Sequence, residues 1–195
     1  MNTLTIASHS RGKLLEYQKL LSHSDYLMKS LSINDPEPEE TGNSYIENAR
    51  IKAESARKLY PAERIVADDS GVELKGLNGK PGILSARYPD PTMGVAANAR
   101  ATVAELYSQD STREATYFCN ILLLETDGRE TVFEGSLGGY ILETPRGENS
   151  TDFGYESYFV PEGEKKTLAE LGETKHLRSA RREAVEKMLA HLALS

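Results

Sequence analysis

Two adjacent carboxylates, Asp68 and Asp69, close the apolar run Ile65–Ala67 and are followed by Ser70 and Gly71. The pattern reads as a buried strand that delivers two acids at its end. Successive side chains of a strand point to opposite faces. Both acids therefore face one pocket only if the backbone turns, and Ser70–Gly71 permits a turn. Paired acids at a strand end suit a hard divalent cation. Mg²⁺ takes oxygen ligands and is commonly held by one or two carboxylates together with substrate phosphates. The plainer alternative is an acidic turn that caps a neighbouring element and points at water.

A second stretch suits anions. Leu4–Ala7 reads as a short strand, Ser8–His9–Ser10–Arg11–Gly12–Lys13 as a loop, and the residues up to about Leu21 as a helix with Leu14, Tyr17 and Leu21 on one face. Lys13 and Glu16 share another edge of that helix. A strand, a Ser/Gly loop and a helix N-terminus offer free backbone N–H groups and the positive end of the helix dipole. Lys13 adds a charge on a long stem. The spacing of a Walker loop, GxxxxGK[ST], is absent. Ser8 or Ser10 acting as an ordinary N-cap explains the same residues equally well.

The remaining elements must position these groups. Asp35–Gly42 is an acidic loop broken by two prolines, solvated by default. Ser44–Tyr45–Ile46–Glu47 has the form of a capping box and opens a helix to about Leu59. Its small-residue stripe, Ile46, Ala49, Ala53 and Ala56, suits close packing on a sheet, and Asn48, Lys52 and Ser55 lie opposite. Leu77–Tyr88 is turn-rich but anchored by apolar residues, and Val95, Ala99, Val103 and Leu106 mark another helix. Thr116–Glu125 and Glu130–Leu142 flank Asp127–Gly128 as a hairpin, with Gly135, Gly138 and Gly139 suggesting a bulge or tight bend. Asp152–Phe159 places aromatics beside an acid and a glycine, which suits either stacking on a flat ring or anchoring in the core. The last helix starts near Ser179, with Ala184, Val185, Met188, Leu189 and Leu192 on its apolar side. Lys175, Arg178, Arg181 and Arg182 crowd its approach and first turn, where cations oppose the dipole and an anion would offset the cost.

The chain has 195 residues, enough for one domain with a sizeable core, and its 38% hydrophobic and 27% charged residues are a globular balance. A net charge of −7 and a pI near 5.2 argue against nucleic acid as a main partner, because counterion release needs a basic surface. Cys119 is the single cysteine, so no intrachain disulfide forms, which suits a reducing cytoplasm. It reads as a small buried apolar residue rather than a nucleophile. No run approaches the roughly 20 apolar residues of a membrane span, and no signal peptide is expected.

In this order the motifs resemble the inosine/xanthosine triphosphate pyrophosphatase family, house-cleaning enzymes that hydrolyse non-standard purine nucleotides. The resemblance runs from about Thr5 to about Met188. It rests on Glu39–Gly42 with Glu47–Asn48–Ala49 and Lys52, on Ala67–Gly71 with Asn78–Gly82 and Ser85–Tyr88, and on Phe153–Gly154–Tyr155 before an acid. It implies an α/β fold: one domain spanning 1–195, a long mixed central sheet flanked by helices, and two lobes around a nucleotide cleft. It implies that Ser8, His9, Ser10, Arg11, Gly12 and Lys13, with Lys52, bind phosphates, and that Ser70 is among the substrate-binding residues. Glu40 and Asp69 would serve Mg²⁺ with Asp68 nearby, and Asp69 would also activate water. Phe153 would stack on the base, Gly154 and Tyr155 beside it, with Glu156, Lys175 and Arg181 around its edge. Members are usually homodimers.

The chain also departs from the family. Thr-Gly-Asn of the first loop is Ser8–His9–Ser10, the acid after Phe-Gly-Tyr is Glu156 rather than Asp, Ser157 replaces a proline, and Ser-His-Arg is Ser179–Ala180–Arg181. Metal and phosphate chemistry is retained, while base recognition is altered, with His176 the nearest substitute for the missing histidine. The implied activity is Mg²⁺-dependent hydrolysis of ITP, dITP and XTP to monophosphate and pyrophosphate, by a cytoplasmic enzyme that sanitises the nucleotide pool. The alternative is a nucleotide-binding protein of the same fold with lost or altered turnover.

Overall fold

The computed structural model describes residues 2–148 and 153–194, so Asp152 lies outside the described residues. In chain order the elements are β1 (Asn2–Ile6), α1 (Arg11–Leu21), β2 (Tyr26–Ser30), α2 (Tyr45–Leu59), β3 (Arg64–Leu74), β4 (Pro81–Gly82), α3 (Val95–Tyr107), β5 (Glu114–Leu124), β6 (Glu130–Ile141), β7 (Phe159–Pro161), α4 (Leu168–Leu171) and α5 (Ala180–Leu192). The strands form a seven-stranded sheet of order β2-β1-β3-β5-β6-β7, with β4 paired to β3. It is mixed: β1 runs parallel to β2 and β3, whereas β3–β4 and β6–β7 are antiparallel. The expected α/β class with a mixed sheet and flanking helices is what the chain adopts. No helix among the described residues is long and apolar enough to cross a membrane.

The chain divides into two compact units. The first comprises Met1–Ser70, Cys119–Gly135 and Arg181–Ser195. Here α2 is capped by Ser44, whose hydroxyl accepts from Glu47 N (3.3 Å), while the Glu47 carboxylate reaches back to Asn43 N (2.7 Å). Its alanines Ala49, Ala53 and Ala56 pack on Ile65, Ala67, Leu122 and Leu124. Enlarging one of them would overpack this contact at a cost of about 1–3 kcal/mol. Tyr17 and Leu21 of α1, and Ala184, Val185, Met188 and Leu192 of α5, are buried as expected.

One expectation fails here. β3 does not end at the two acids: it continues through Ser70–Gly71 to Leu74 without a turn. Ile65 and Ala67 pack on the α2 side. Alternation therefore carries Asp69 to that side and Asp68 to the opposite face.

The second unit comprises Gly71–Phe118 and Ser136–Ala180. The hairpin turn, which lies in the first unit, is as expected, with Gly128 in the left-handed region at φ 88°. In the second unit two glycines serve packing. Gly139 answers to close approach: a Cβ there would lie 2.3 Å from Val160 O of the paired β7. Gly154 does the same against α3, where a Cβ would meet Val95 O at 2.6 Å.

Candidate functional site

The loop after β1 is shaped by its own hydroxyls. Ser8 Oγ accepts from Ser10 N (3.2 Å), and Ser10 Oγ caps α1 by accepting from Lys13 N (3.3 Å). The N-cap reading is thus realised, and the loop stays half-exposed through Ser8, His9 and Ser10, with Arg11 exposed and Gly12 half-buried. His9 Nε2 donates to Ser32 O (3.1 Å).

The polar face of α2 is not solvated. Asn48 is wholly buried and Lys52 nearly so, both turned toward Asp69. Asp69 Oδ2 accepts from Asn48 Nδ2 (3.0 Å), and its Oδ1 accepts from Ser70 N (3.0 Å) with Lys52 Nζ at 3.5 Å. Lys52 Nζ also donates to Glu40 Oε1 (2.7 Å). The Asn48 carbonyl accepts from Gly42 N (2.9 Å), so one amide ties the Glu40 loop to β3. Burial alone would pull the Lys52 ammonium down, but Asp69, Asp68 and Glu40 outweigh it and hold its pKa above the ordinary value.

On the other face of β3, Asp68 has no exposed side-chain surface. Its Oδ2 accepts from Lys13 Nζ (2.9 Å) and Arg181 Nη2 (3.0 Å), with Cys119 Sγ at 3.8 Å. Burial pushes the Asp68 carboxyl up, yet Lys13, Arg181 and Lys52 hold it well below the usual carboxylate range. Arg181 also donates to Ser70 Oγ (3.2 Å) and pairs with Glu16, and its guanidinium lies 5.7 Å from the Tyr17 ring centroid. Burial opposes its charge, but Asp68 and Glu16 keep it firmly protonated.

These contacts sort the metal expectation. Among the described residues no three Asp, Glu, His or Cys side chains gather where a metal could be held by protein alone. Asp68 does not join Glu40 and Asp69, because it faces the other way and is paired with cations. Glu40 and Asp69 do converge, on one Lys52 ammonium. Two carboxylates sharing a cation are the donor set that Mg²⁺ accepts when substrate phosphates complete its shell, so these residues fit the metal.

In the second unit, Phe153 is half-buried with its ring 5.6 Å from that of Tyr117. Tyr155 is wholly buried and offers no surface, and Gly154 serves packing. Glu156 accepts from Lys175 Nζ through both carboxylate oxygens, each at 2.8 Å. His176 Nδ1 donates to Glu173 O (2.7 Å). Arg181 was expected at the base edge, but its guanidinium is engaged by Asp68, Ser70 and Glu16. The cations around the start of α5 all meet protein carboxylates: Arg178 pairs with Glu164 (3.3 Å) and Arg182 with Glu186 (2.7 Å), and Glu183 supplies the first-turn acid. The charge excess read from the sequence thus does not need a ligand. Asn48 and Glu16 were missed as site residues. Their signal was placement one helical turn from Lys52 and Lys13.

The sequence model of the Ham1 family matches residues 4–191. A dITP/XTP pyrophosphatase of Bacillus subtilis (strain 168) is 36% identical over 192 residues, covering 96% of each chain. One from Bacillus licheniformis is 38% identical over 196 residues, covering 98% of each. The Ham1 protein of Staphylococcus aureus superposes with a TM-score of 0.83 at 35% identity over 98% of each chain, and that of Coxiella burnetii with 0.88 at 32% over the whole of each. With agreement in sequence over nearly its full length and in the path of its sheet, the chain belongs to the Ham1 family.

Proposed function

We propose that this protein hydrolyses non-standard purine nucleoside triphosphates, namely ITP, dITP and XTP, to the monophosphate and pyrophosphate. The observation that carries the reading is Asp69, a nearly buried carboxylate oriented by Asn48 and Ser70 beside the Lys52–Glu40 pair. The names of the similar proteins from Bacillus support the substrate class. Asp69 orients a water and accepts its proton, as a general base must within hydrogen-bond reach. The water oxygen bonds to the α-phosphorus, the bridge oxygen to the β-phosphorus departs, and pyrophosphate leaves. Lys13 and Lys52 neutralise the polyphosphate in a largely buried setting where charge counts for more than in water. Glu40 and Asp69 would hold Mg²⁺, which when bound supplies charge stabilisation at phosphate oxygens. Phe153, Glu156 and Lys175 are assigned to the base.

Pyrophosphate release from ITP, XTP, dITP, ATP and GTP, with and without Mg²⁺, tests the reading. Asp69→Asn should abolish turnover while the fold survives, since an amide neither accepts the proton nor ligates a hard cation well. Retained activity in that variant would sink the assignment. Nucleotide-induced thermal stabilisation without pyrophosphate release would instead favour a binding protein. The same reading makes the protein a cytoplasmic homodimer, and light scattering at the monomer mass of 21.5 kDa would remove the dimer.

A further inference from the structure

The side chains around Asp68 form a chain of alternating charge that starts and ends on α1. Lys13 of α1 meets Asp68 of β3, Asp68 meets Arg181 of α5, and Arg181 returns to Glu16, one turn along α1 from Lys13. Ser70 Oγ accepts from the same Arg181 nitrogen that serves Asp68. Lys13 is held twice by one residue, through Asp68 Oδ2 at 2.9 Å and through the Asp68 backbone carbonyl at 3.3 Å. An ammonium has three donors, so one remains beyond these two. The Lys13 side chain keeps 14% exposure while the Asp68 side chain has none. Asp68 Oδ1 is buried without a hydrogen-bond partner, so the carboxylate acts through Oδ2, which both cations occupy.

We propose that Asp68 is a positioning residue: on the face of β3 opposite Asp69 it fixes the Lys13 ammonium at the loop before α1, and it does not ligate the metal. This rests on the reading above, in which Lys13 meets the substrate's phosphates. A lysine stem has four carbons and many rotamers, and holding its end in advance removes that ordering cost from binding. Arg181, itself paired with Glu16, holds Asp68 in turn, so these pairs tie α1 to the strand that carries Asp69.

The test separates phosphate binding from metal binding. Asp68→Asn should weaken the binding of inorganic pyrophosphate in EDTA, and raise the KM for nucleotide, by about tenfold or more, the scale of a lost charge-assisted hydrogen bond. Binding of Mn²⁺ to the free protein, followed by electron paramagnetic resonance, should stay within about twofold of wild type, as for a site not in contact with the change. Glu40→Gln should do the reverse, weakening Mn²⁺ more than pyrophosphate in EDTA. In a Lys13→Met background, adding Asp68→Asn should cost less than about a further twofold in pyrophosphate binding, because the two act as one unit. Mn²⁺ weakened by Asp68→Asn as by Glu40→Gln, unchanged pyrophosphate binding, or additive losses would each overturn the proposal. Should Asp68→Asn not fold, Lys13→Met against the double variant, which removes one charge of each sign, carries the same readouts. Absence of pyrophosphate release by the wild type would fail the proposed function, while binding in EDTA would still decide this point.

Discussion

The side-chain amide of Asn48 donates to Asp69 Oδ2 at 3.0 Å while its carbonyl accepts from Gly42 N at 2.9 Å. One buried residue thus aims the proposed base and anchors the loop that bears Glu40. Asn48→Ala would leave both partners unsatisfied, at about 1–3 kcal/mol each for a buried polar group. We expect a lower melting temperature and a drop in kcat of roughly tenfold or more, with KM moving less, since the change disorients Asp69. Unaltered kcat would show that Asp69 does not depend on this bond.

Gly42 belongs to the same contact. A Cβ there would stand 2.7 Å from both Asn48 Oδ1 and Glu47 Cβ. Gly42→Ala must push the loop off α2, so its effect on kcat should follow that of Asn48→Ala, and the two should be markedly non-additive. Additive losses would mean that the loop is held by other contacts.

The chain of charges through Asp68 predicts a pH signature. Native Asp68 is held below the ordinary carboxylate range, so the folded chain binds fewer protons there than the unfolded one. Its contribution is fully present above the ordinary value of about 3.9 and is lost as pH falls through the lowered native value. Arg181→Met leaves Asp68 and Glu16 short of a buried cation, at about 3–5 kcal/mol near neutrality. The gap between wild type and variant in thermal unfolding should be steady from about pH 5 to 8 and should close in acid. A gap that widened in acid would contradict the assignment.

Cys119 is 1% exposed, and burial pushes its thiol up to about 12. The native protein should resist a thiol reagent at pH 8 and react promptly once unfolded, because the thiolate is the reacting form. Prompt native labelling would show that this part of β5 opens readily.

Base selectivity carries the last prediction. Ala180 stands where the resembled family has a histidine, and it is buried at the start of α5. Two of the three Lys175 donors are taken by the longer Glu156 carboxylate. Stacking of the kind proposed for Phe153 tolerates any base. ITP and XTP should therefore be less sharply preferred over GTP than in a protein with Ser-His-Arg. One neutral hydrogen bond of about 0.5–1.5 kcal/mol is a factor of roughly two to twelve in kcat/KM. Ala180→His should recover part of that factor. Strong discrimination in the native protein, unmoved by the substitution, would point to another reader such as His176.

The elements themselves were legible in the sequence, because helices and strands announce themselves locally. Ser44 before a small-residue stripe marks α2, Asp127–Gly128 marks the hairpin, and Val95, Ala99, Val103 and Leu106 mark α3. The chemistry-bearing residue types were legible too, since acids beside an apolar run and a lysine after a Ser/Gly loop carry their meaning in their spacing. Tertiary structure decided their partners. Whether β3 turned after Asp69 depended on its pairing with β4 beyond Ser70–Gly71, a contact between residues about ten positions apart that no local pattern encodes. Because it runs straight, the period of two sends Asp68 to Lys13 and Arg181, and Asp69 to Asn48 and Lys52. The same holds for Arg181, whose partners Glu16 and Asp68 are brought to it by packing of α1, β3 and α5. Charge is written in the sequence, but which charge it meets is set by burial, because a buried ion must find a counter-ion wherever the fold provides one.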